Sequence, residues 1–266
     1  MKKARDLLEK YNLNPKKKFG QNFLIDDNIL RKIAKNYNSD FPIIEIGPGT
    51  GAMTQYFLEK KQNSVYLVEY DRDMIEILNK EYLNIKEIFH ADASKFDFSK
   101  ILNKENSEFI IFGNLPYNVS SQIIFNLVKN IEKIHSCYFM VQKEVAKRLT
   151  ESKDNKNYSR LTVMTNLYFD KKILFDVKPN SFLPAPRVDS SIVQFKKKTT
   201  LINKLKDRDK FAEIVKEAFS QRRKMLRNNL KKYKEYNLEN IIDLKQRAEN
   251  LDVEDYVNIV NYILES

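Results

Sequence analysis

A polar and aromatic tetrapeptide, Asn114-Leu115-Pro116-Tyr117, directly follows the apolar run Phe109-Ile110-Ile111-Phe112-Gly113. The run is too short for a helix and predicts a buried strand. In open α/β sheets, ligands bind at the carboxyl ends of the strands. The chemistry that these four residues suit at such a place is methylation of an amine conjugated to a ring, such as N6 of adenine.

The N6 amine of adenine is a poor nucleophile because its lone pair is delocalised into the ring. The Asn114 side-chain oxygen and the Leu115 carbonyl could each accept one N6–H bond, which would turn the lone pair toward an incoming methyl group. Pro116 keeps Leu115 out of the helical region, so that this carbonyl can point outward, and Tyr117 would stack on the base. An ordinary strand–turn–helix connection, with Asn and Pro as turn residues, explains the same four residues.

Three further predicted strands end in residues that suit a nucleotide-like cofactor. The run 43–46 leads into Gly47-Pro48-Gly49-Thr50-Gly51, whose glycines let the backbone approach a ligand closely at a helix N-terminus. The run 65–68 ends at Glu69, 22 residues after Gly47, near the offset of roughly 20 expected for a ribose-binding acid. A run near 85–89 leads to Asp92, which could accept a hydrogen bond from an adenine amine. Nicotinamide enzymes also have a glycine-rich turn, and each acid alone fits a solvated loop, but all three together favour a cofactor site.

Length and composition narrow the class of protein. The chain has 266 residues, 42% of them hydrophobic, enough for one core with a smaller appended domain. Its formal net charge of +11 favours a polyanionic partner. One cysteine, Cys137, excludes an internal disulfide framework, and with only two histidines we expect no metal site. No apolar run approaches a membrane span and no signal peptide is recognisable, so we expect a cytoplasmic protein that does not bind membranes.

The order of the predicted elements gives the fold class. Strands and helices alternate up to residue 198, and helices alone follow. This order predicts an α/β domain over residues 1–198, with a mostly parallel sheet and helices on both faces, and a small all-α domain over residues 199–266. Two late β-rich runs, 172–177 and 188–195, could finish the sheet in antiparallel order.

Two basic stretches are candidates for phosphate contact. Residues 220–234 contain no acid, and the alternative to RNA contact is a solvated helix face. The expected RNA-binding residues are Arg222, Arg223, Lys224 and Arg227. Lys16-Lys17-Lys18 in the N-terminal arm could also touch phosphates, or could simply be solvated.

Five motifs in order along the chain resemble those of the ribosomal RNA adenine N6-dimethyltransferases, nearest the housekeeping branch that acts on the small ribosomal subunit. The motifs are Gly20-Gln21-Asn22-Phe23-Leu24, Glu45-Ile46-Gly47-Pro48-Gly49-Thr50-Gly51, Asn114-Leu115-Pro116-Tyr117, Phe182-Leu183-Pro184-Ala185-Pro186-Arg187-Val188-Asp189-Ser190 and Arg222-Arg223-Lys224-Met225-Leu226-Arg227-Asn228. The resemblance covers nearly the whole chain.

This resemblance implies a class I methyltransferase (Rossmann-like) fold, S-adenosylmethionine as methyl donor, and no metal. It implies dimethylation at N6 of two adjacent adenines in small-subunit (16S) ribosomal RNA. The implied donor contacts are Asn22, Leu24, Gly47, Glu69, Asp92 and Asn114. Asn114, Leu115, Tyr117 and Phe182 would serve catalysis, with Tyr117 and Phe182 sandwiching the target adenine, while Glu45 would order the glycine loop. We expect a monomer.

Three rival functions remain open from the sequence. An antibiotic-resistance methylase of large-subunit RNA shares most of these motifs, although Leu115 and the run 222–228 favour the housekeeping branch. A DNA adenine methylase is disfavoured because no added target-recognition domain is visible. A ribosome-assembly or transcription factor with secondary methylase activity is a third reading, which the intact donor motifs disfavour.

Overall fold

A computed structural model describes residues 3–36, 40–59, 64–116 and 119–266. Its strands are β1 (Phe23–Leu24), β2 (Ile43–Ile46), β3 (Val65–Glu69), β4 (Glu87–His90), β5 (Phe109–Asn114), β6 (Ile134–Gln142), β7 (Phe169–Val177), β8 (Phe182–Leu183) and β9 (Ser190–Lys197). Its α-helices are α1 (Ala4–Lys10), α2 (Asp27–Lys35), α3 (Thr54–Glu59), α4 (Arg72–Glu81), α5 (Ser99–Leu102), α6 (Ser120–Leu127), α7 (Lys143–Thr150), α8 (Arg160–Asn166), α9 (Arg208–Ala218), α10 (Leu226–Asn229) and α11 (Val253–Glu265).

A seven-stranded sheet in the order β4-β3-β2-β5-β6-β9-β7 confirms the predicted α/β fold. The strands β2, β3, β4, β5 and β6 are paired in parallel. The strand order reverses between β2 and β5, where Ile46 is paired with Gly113. This pairing places the glycine loop after β2 directly beside the end of β5. In open α/β sheets, ligands bind at such a topological switch point.

The strands β2 and β3 at the centre of the parallel sheet are apolar except for Glu45 and Glu69. Every residue of β2 and β3 is buried, as parallel strands covered on both faces require. The helix α2 is capped at its N-terminus, because the Asp26 carboxylate accepts hydrogen bonds from the backbone N–H groups of Asn28 and Ile29. A smaller apolar cluster joins α1 to α4 and to Phe23, and so fixes the chain just before the cavity described below.

The chain divides into two compact units, and both are interrupted in sequence. The first comprises Met1–Ala146 and Lys172–Phe195, and the second Lys147–Lys171 and Lys196–Ser266. The predicted boundary at residue 198 lies close to the break at 195. The sequence prediction differs for residues 147–171, which it places in the first domain. Contacts of α8 with α9 and α11 place this segment in the second unit.

The second unit is built mainly from α8, α9 and α11, whose buried residues form its core. Apolar residues from Phe211 to Leu230 recur at a helical period, but the structure has no continuous helix over this range. The helix α9 ends at Ala218, and the next helix, α10, begins only at Leu226. The Asn229 amide donates to the carbonyls of Ala218 (2.6 Å) and Gln221 (3.1 Å), which satisfies acceptors that the ended helix leaves open. The basic run therefore starts in a turn and not on a helix face.

Of the helices in the described part of the chain, none has the length and apolar character needed to cross a bilayer.

Candidate active site

A cavity of about 330 Å³ lies in the first unit at the carboxyl edge of the sheet. Its walls contain all six residues expected to contact the donor, together with Leu115. Those six are Asn22, Leu24, Gly47, Glu69, Asp92 and Asn114. The structure thus brings together residues that are spread over more than ninety positions of the sequence.

The loop after β2 supplies one wall, and its glycines are required by its shape. Gly47 has a φ of 64° and Gly49 a φ of 56°, in the left-handed region. A Cβ on Gly49 would lie 2.8 Å from the Phe23 ring, so the N-terminal segment packs directly on this loop. The Thr50 hydroxyl is buried at the cavity and has no hydrogen-bond partner among the described residues. A polar ligand in the cavity could satisfy it.

The Glu69 carboxylate, at the end of β3, is almost fully buried and accepts three backbone hydrogen bonds. Oε2 accepts from the N–H of Gly49 (3.1 Å), and Oε1 from those of Tyr70 (2.7 Å) and Asp71 (2.8 Å). Burial raises the pKa of Glu69, and these three N–H groups act against that rise. An ionised carboxylate has about four lone-pair sites. Glu69 therefore holds the glycine loop and keeps capacity for a ligand hydroxyl.

The second buried acid, Glu45, also lies at the cavity but is held differently. Its Oε2 accepts a hydrogen bond from the Thr54 hydroxyl at 2.6 Å. Burial raises the pKa of Glu45 to about 8, the Thr54 bond opposes this, and the nearby Glu69 charge adds to it. Thr54 is the first residue of α3, so this bond ties β2 to the helix that follows the glycine loop, in keeping with the ordering role expected for Glu45.

Asp92 follows β4 and is ready to accept one more hydrogen bond. Its Oδ1 accepts from the backbone N–H (2.9 Å) and the hydroxyl (2.7 Å) of Ser94. Its Oδ2 receives no hydrogen bond from any described residue. The side chain is thus oriented by Ser94 with one oxygen left for a donor group such as an adenine amine.

The end of β5 carries two acceptors next to each other. The Asn114 side-chain Nδ2 donates to the backbone carbonyl of Asn22 at 2.9 Å. This bond fixes which way the amide is turned, and no described residue donates to its Oδ1. The Leu115 N–H donates to the Met140 carbonyl at 3.0 Å, and Leu115 itself is buried. No backbone N–H in the described ranges donates to the Leu115 carbonyl, so both predicted acceptors are free of described partners.

Of the two aromatic residues expected to stack on the target base, the structure describes only Phe182. Tyr117 lies outside the described residues. Phe182 is only 3% exposed, does not line the cavity, and packs in the main apolar core. Its strand β8 is paired with β1, so that Phe182 stands opposite Leu24. The structure therefore gives Phe182 a core position, and its stacking role stays a prediction.

The segment before β1 contributes contacts that the sequence did not reveal. Phosphate contact and simple solvation were the two alternatives for Lys16, and the structure shows instead that it is ion-paired, while its contact with phosphate stays a prediction. Its Nζ lies 2.6 Å from Asp71 Oδ1 and 2.5 Å from Asp73 Oδ2. The Gln21 side chain donates to Asp71 Oδ2 at 2.7 Å. The presence of Gln21 in the first motif was the only signal in the sequence, since Asp71 is distant along the chain.

In the second unit, the four residues expected to bind RNA are all exposed. Arg222 has internal partners as well, because its guanidinium donates to the carbonyls of Lys156 (2.6 Å) and Tyr158 (3.1 Å) and pairs with Glu249 (3.3 Å). Among the described residues, no carboxylate pairs with Arg223, Lys224 or Arg227. The turn and α10 therefore present three exposed cations that have no described carboxylate partner.

The cavity residues fit the methyl donor implied by the motifs. A sulfonium nucleoside with a ribose and an amino-acid end needs acceptors for hydroxyl, amine and ammonium groups. The spare capacity of Glu69, the open oxygen of Asp92 and the unpartnered Thr50 hydroxyl supply such groups on the walls of one cavity. In the described part of the chain, no group of three or more His, Cys, Asp or Glu side chains is arranged to hold a metal.

Comparisons with known proteins agree with this geometry. The family model described as ribosomal RNA adenine dimethylase matches residues 12–265. Proteins named ribosomal RNA small subunit methyltransferase A are 41% identical over 261 residues, in Francisella tularensis subsp. novicida strain U112 and in subsp. tularensis strain WY96-3418. Each alignment covers 95% of this chain and 99% of the relative.

Solved structures resemble the chain over most of its length. A dimethyladenosine transferase from Plasmodium falciparum has a TM-score of 0.76 at 27% identity, covering 91% of this chain and 98% of that one. The 23S rRNA methyltransferase ErmE has a TM-score of 0.65 at 23% identity, covering 91% of this chain and 99% of that one, and this likeness concerns the fold alone.

Proposed function

This chain belongs to the ribosomal RNA adenine dimethylase family, and from that membership we propose that it transfers methyl groups from S-adenosylmethionine to N6 of adenines in small-subunit ribosomal RNA. It places two methyl groups on each of two adjacent adenines in 16S ribosomal RNA during ribosome biogenesis. The 41% identity to relatives named for the small subunit favours this target over large-subunit RNA. We also propose that it acts as a monomer. The expected cytoplasmic location stays a prediction.

The observation that carries the proposal is the orientation of Asn114. Its Nδ2 is bonded to the Asn22 carbonyl, which leaves Oδ1 as the acceptor for a substrate N–H. The Leu115 carbonyl is the neighbouring acceptor, held in place by the bond between the Leu115 N–H and the Met140 carbonyl. Two fixed acceptors side by side match an amine with two hydrogens, as on adenine N6.

When bound, the sulfonium of the donor supplies an electrophilic methyl group. The protein residues then contribute positioning and exclusion of water. Asn114 and Leu115 hold the N6 nitrogen and turn its lone pair out of the ring plane. No His or Cys lies among the described cavity residues to act as a base. The nitrogen becomes acidic once it is methylated, so its proton leaves to water after transfer.

The same geometry allows a second transfer to the same nitrogen, with a small loss of binding free energy. N6-methyladenine keeps one N–H and can satisfy either Asn114 or the Leu115 carbonyl. It therefore loses one hydrogen bond, worth about 0.5–1.5 kcal/mol. Stacking by Tyr117 and Phe182, which we propose from the family motifs, does not depend on the N–H count and would hold the base through both rounds.

The exposed cations of the second unit are proposed to dock the RNA. Arg223, Lys224 and Arg227 have no described carboxylate partner and suit phosphate contact. Arg222 is 49% exposed at its side chain and is proposed as an additional contact, although it also serves the fold.

The test is nucleoside mass spectrometry after incubating enzyme and donor with immature small subunits or, separately, large subunits. Wild type should accumulate dimethyladenosine in small-subunit RNA alone. Asn114→Ala should lose nearly all activity. Dimethyladenosine in large subunits only, a monomethyl end product, or normal turnover by Asn114→Ala would contradict the proposal.

A further inference from the structure

The N-terminal segment from Lys16 to Leu24 is here called the strap, and its residues 18–24 form one wall of the cavity. We propose that Lys16 is a positioning residue, whose ion pair with Asp71 and Asp73 holds the strap closed over the methyl donor. This inference rests on the proposed function, because it assigns Lys16 a part in binding the donor of that reaction.

The anchoring contacts are concentrated on one buried carboxylate. Asp71 is 3% exposed and accepts hydrogen bonds from Lys16 Nζ on Oδ1 (2.6 Å) and from Gln21 Nε2 on Oδ2 (2.7 Å). The Lys16 backbone N–H in turn donates to Gln21 Oε1 at 2.7 Å, which closes a ring of contacts within the strap. Asp73 adds a second carboxylate at 2.5 Å from Lys16 Nζ.

This anchor is connected to both halves of the cavity. On the donor side, the Asp71 N–H donates to Glu69 Oε1 at 2.8 Å, two residues from the anchor carboxylate along the chain. On the acceptor side, the strap contains Asn22, whose carbonyl accepts a hydrogen bond from the Asn114 amide and so orients it. One strap conformation therefore places both the donor contacts and the amide that receives the substrate.

The lysine is the part of the anchor that holds the strap by charge. A hydrogen bond to a charged partner contributes more than a neutral one, particularly when the acceptor is buried. Without Lys16, Asp71 loses its cation, and the strap spends less time closed. The apparent affinity for the donor then falls in proportion to the closed fraction. A bound donor closes the strap again, so turnover at saturating donor should recover.

The experiment compares Lys16→Met, Lys16→Arg and wild type. Methionine keeps an unbranched apolar stem and removes the ammonium group, which also lies 5.6 Å from the centre of the Phe19 ring. We expect Lys16→Met to raise the donor KM and the Kd of S-adenosylhomocysteine, measured by calorimetry, about tenfold, with kcat within about twofold. Lys16→Arg should restore most of the affinity, because a guanidinium can still pair with Asp71.

Lys10→Met is the matched control. Lys10 pairs with Glu81 at 2.5 Å, so it too joins the N-terminal region to α4, but it precedes the strap and belongs to α1. Its removal should leave donor KM unchanged. Equal effects of the two methionine variants, an unchanged donor KM in Lys16→Met, or a loss confined to kcat would overturn the role of Lys16. Wild type that binds no S-adenosylhomocysteine would instead overturn the proposed function on which the inference rests.

Discussion

The substitution Glu69→Gln tests the donor site most directly, because it changes one atom of a carboxylate whose partners are known. The amide oxygen can keep the hydrogen bonds from Tyr70 and Asp71, which share Oε1. The amide NH₂ must then face the Gly49 N–H, which now donates to Oε2. A ligand hydroxyl that donates to this side chain also loses its charged acceptor, a loss worth about 1.5–3 kcal/mol. The Kd for S-adenosylhomocysteine should therefore rise roughly 10- to 150-fold, as measured by calorimetry at pH 7.

Glu45→Gln is the control for this experiment. Glu45 is also a buried acid at the cavity, but burial raises its pKa to about 8. It is therefore mostly protonated at pH 7, and glutamine is close to its native form. We expect its Kd to stay within about twofold of wild type. Wild-type affinity in Glu69→Gln, or an equal loss in both variants, would refute the assignment of Glu69 as the donor acid.

Two further predictions concern RNA docking and pH. Arg223→Ala and Lys224→Ala should each flatten the salt dependence of RNA binding by roughly 0.7–0.9 in slope. Arg222→Ala should in addition lower the thermal unfolding midpoint, because its carbonyl partners are lost. An unchanged salt slope would identify the basic run as a solvated surface. The pKa of Glu45 is raised above 4.5 to about 8, so the native state binds more protons than the unfolded state, and the free energy of unfolding should fall from pH 4.5 to about pH 8. Denaturant unfolding of Glu45→Gln should show a weaker fall, and an identical pH profile would contradict this.

The strands that position the site were predictable because they are buried on both faces. The run 43–46 coincides with β2, and the run 109–113 falls one residue short of β5, which ends at Asn114. Apolar composition alone identifies such strands, and parallel pairing then brings their carboxyl ends to one edge. For the same reason, the positions of Gly47 and Glu69 at a common cavity followed from the sequence, whereas Asp92 follows the edge strand β4, whose residues are partly buried or exposed. The family resemblance, carried by five short motifs, is confirmed by the match over residues 12–265.

Long-range polar contacts were not predictable. Nothing in the local sequence of Lys16 indicates a partner 55 residues away, and a run of three lysines is usually solvated. The residue at which α9 ends was not predictable for a similar reason. Phe219 continues the apolar period, but the Asn229 amide satisfies the carbonyls of Ala218 and Gln221 and lets the helix stop. The burial of Phe182 also depends on the pairing of β8 with β1. Strands of two residues cannot be recognised from the sequence pattern.

The interrupted course of the second unit has a consequence for protein synthesis. The helix α8 emerges from the translating ribosome before α9 and α11, the helices against which it packs. Its buried residues, among them Leu161 and Val163, cannot pack against α9 and α11 until the last strands of the sheet have been synthesised. Since apolar surface exposed on a nascent chain favours misassociation, a translational pause between residues 171 and 208 should lower the yield of folded protein more than a pause within the first 140 residues.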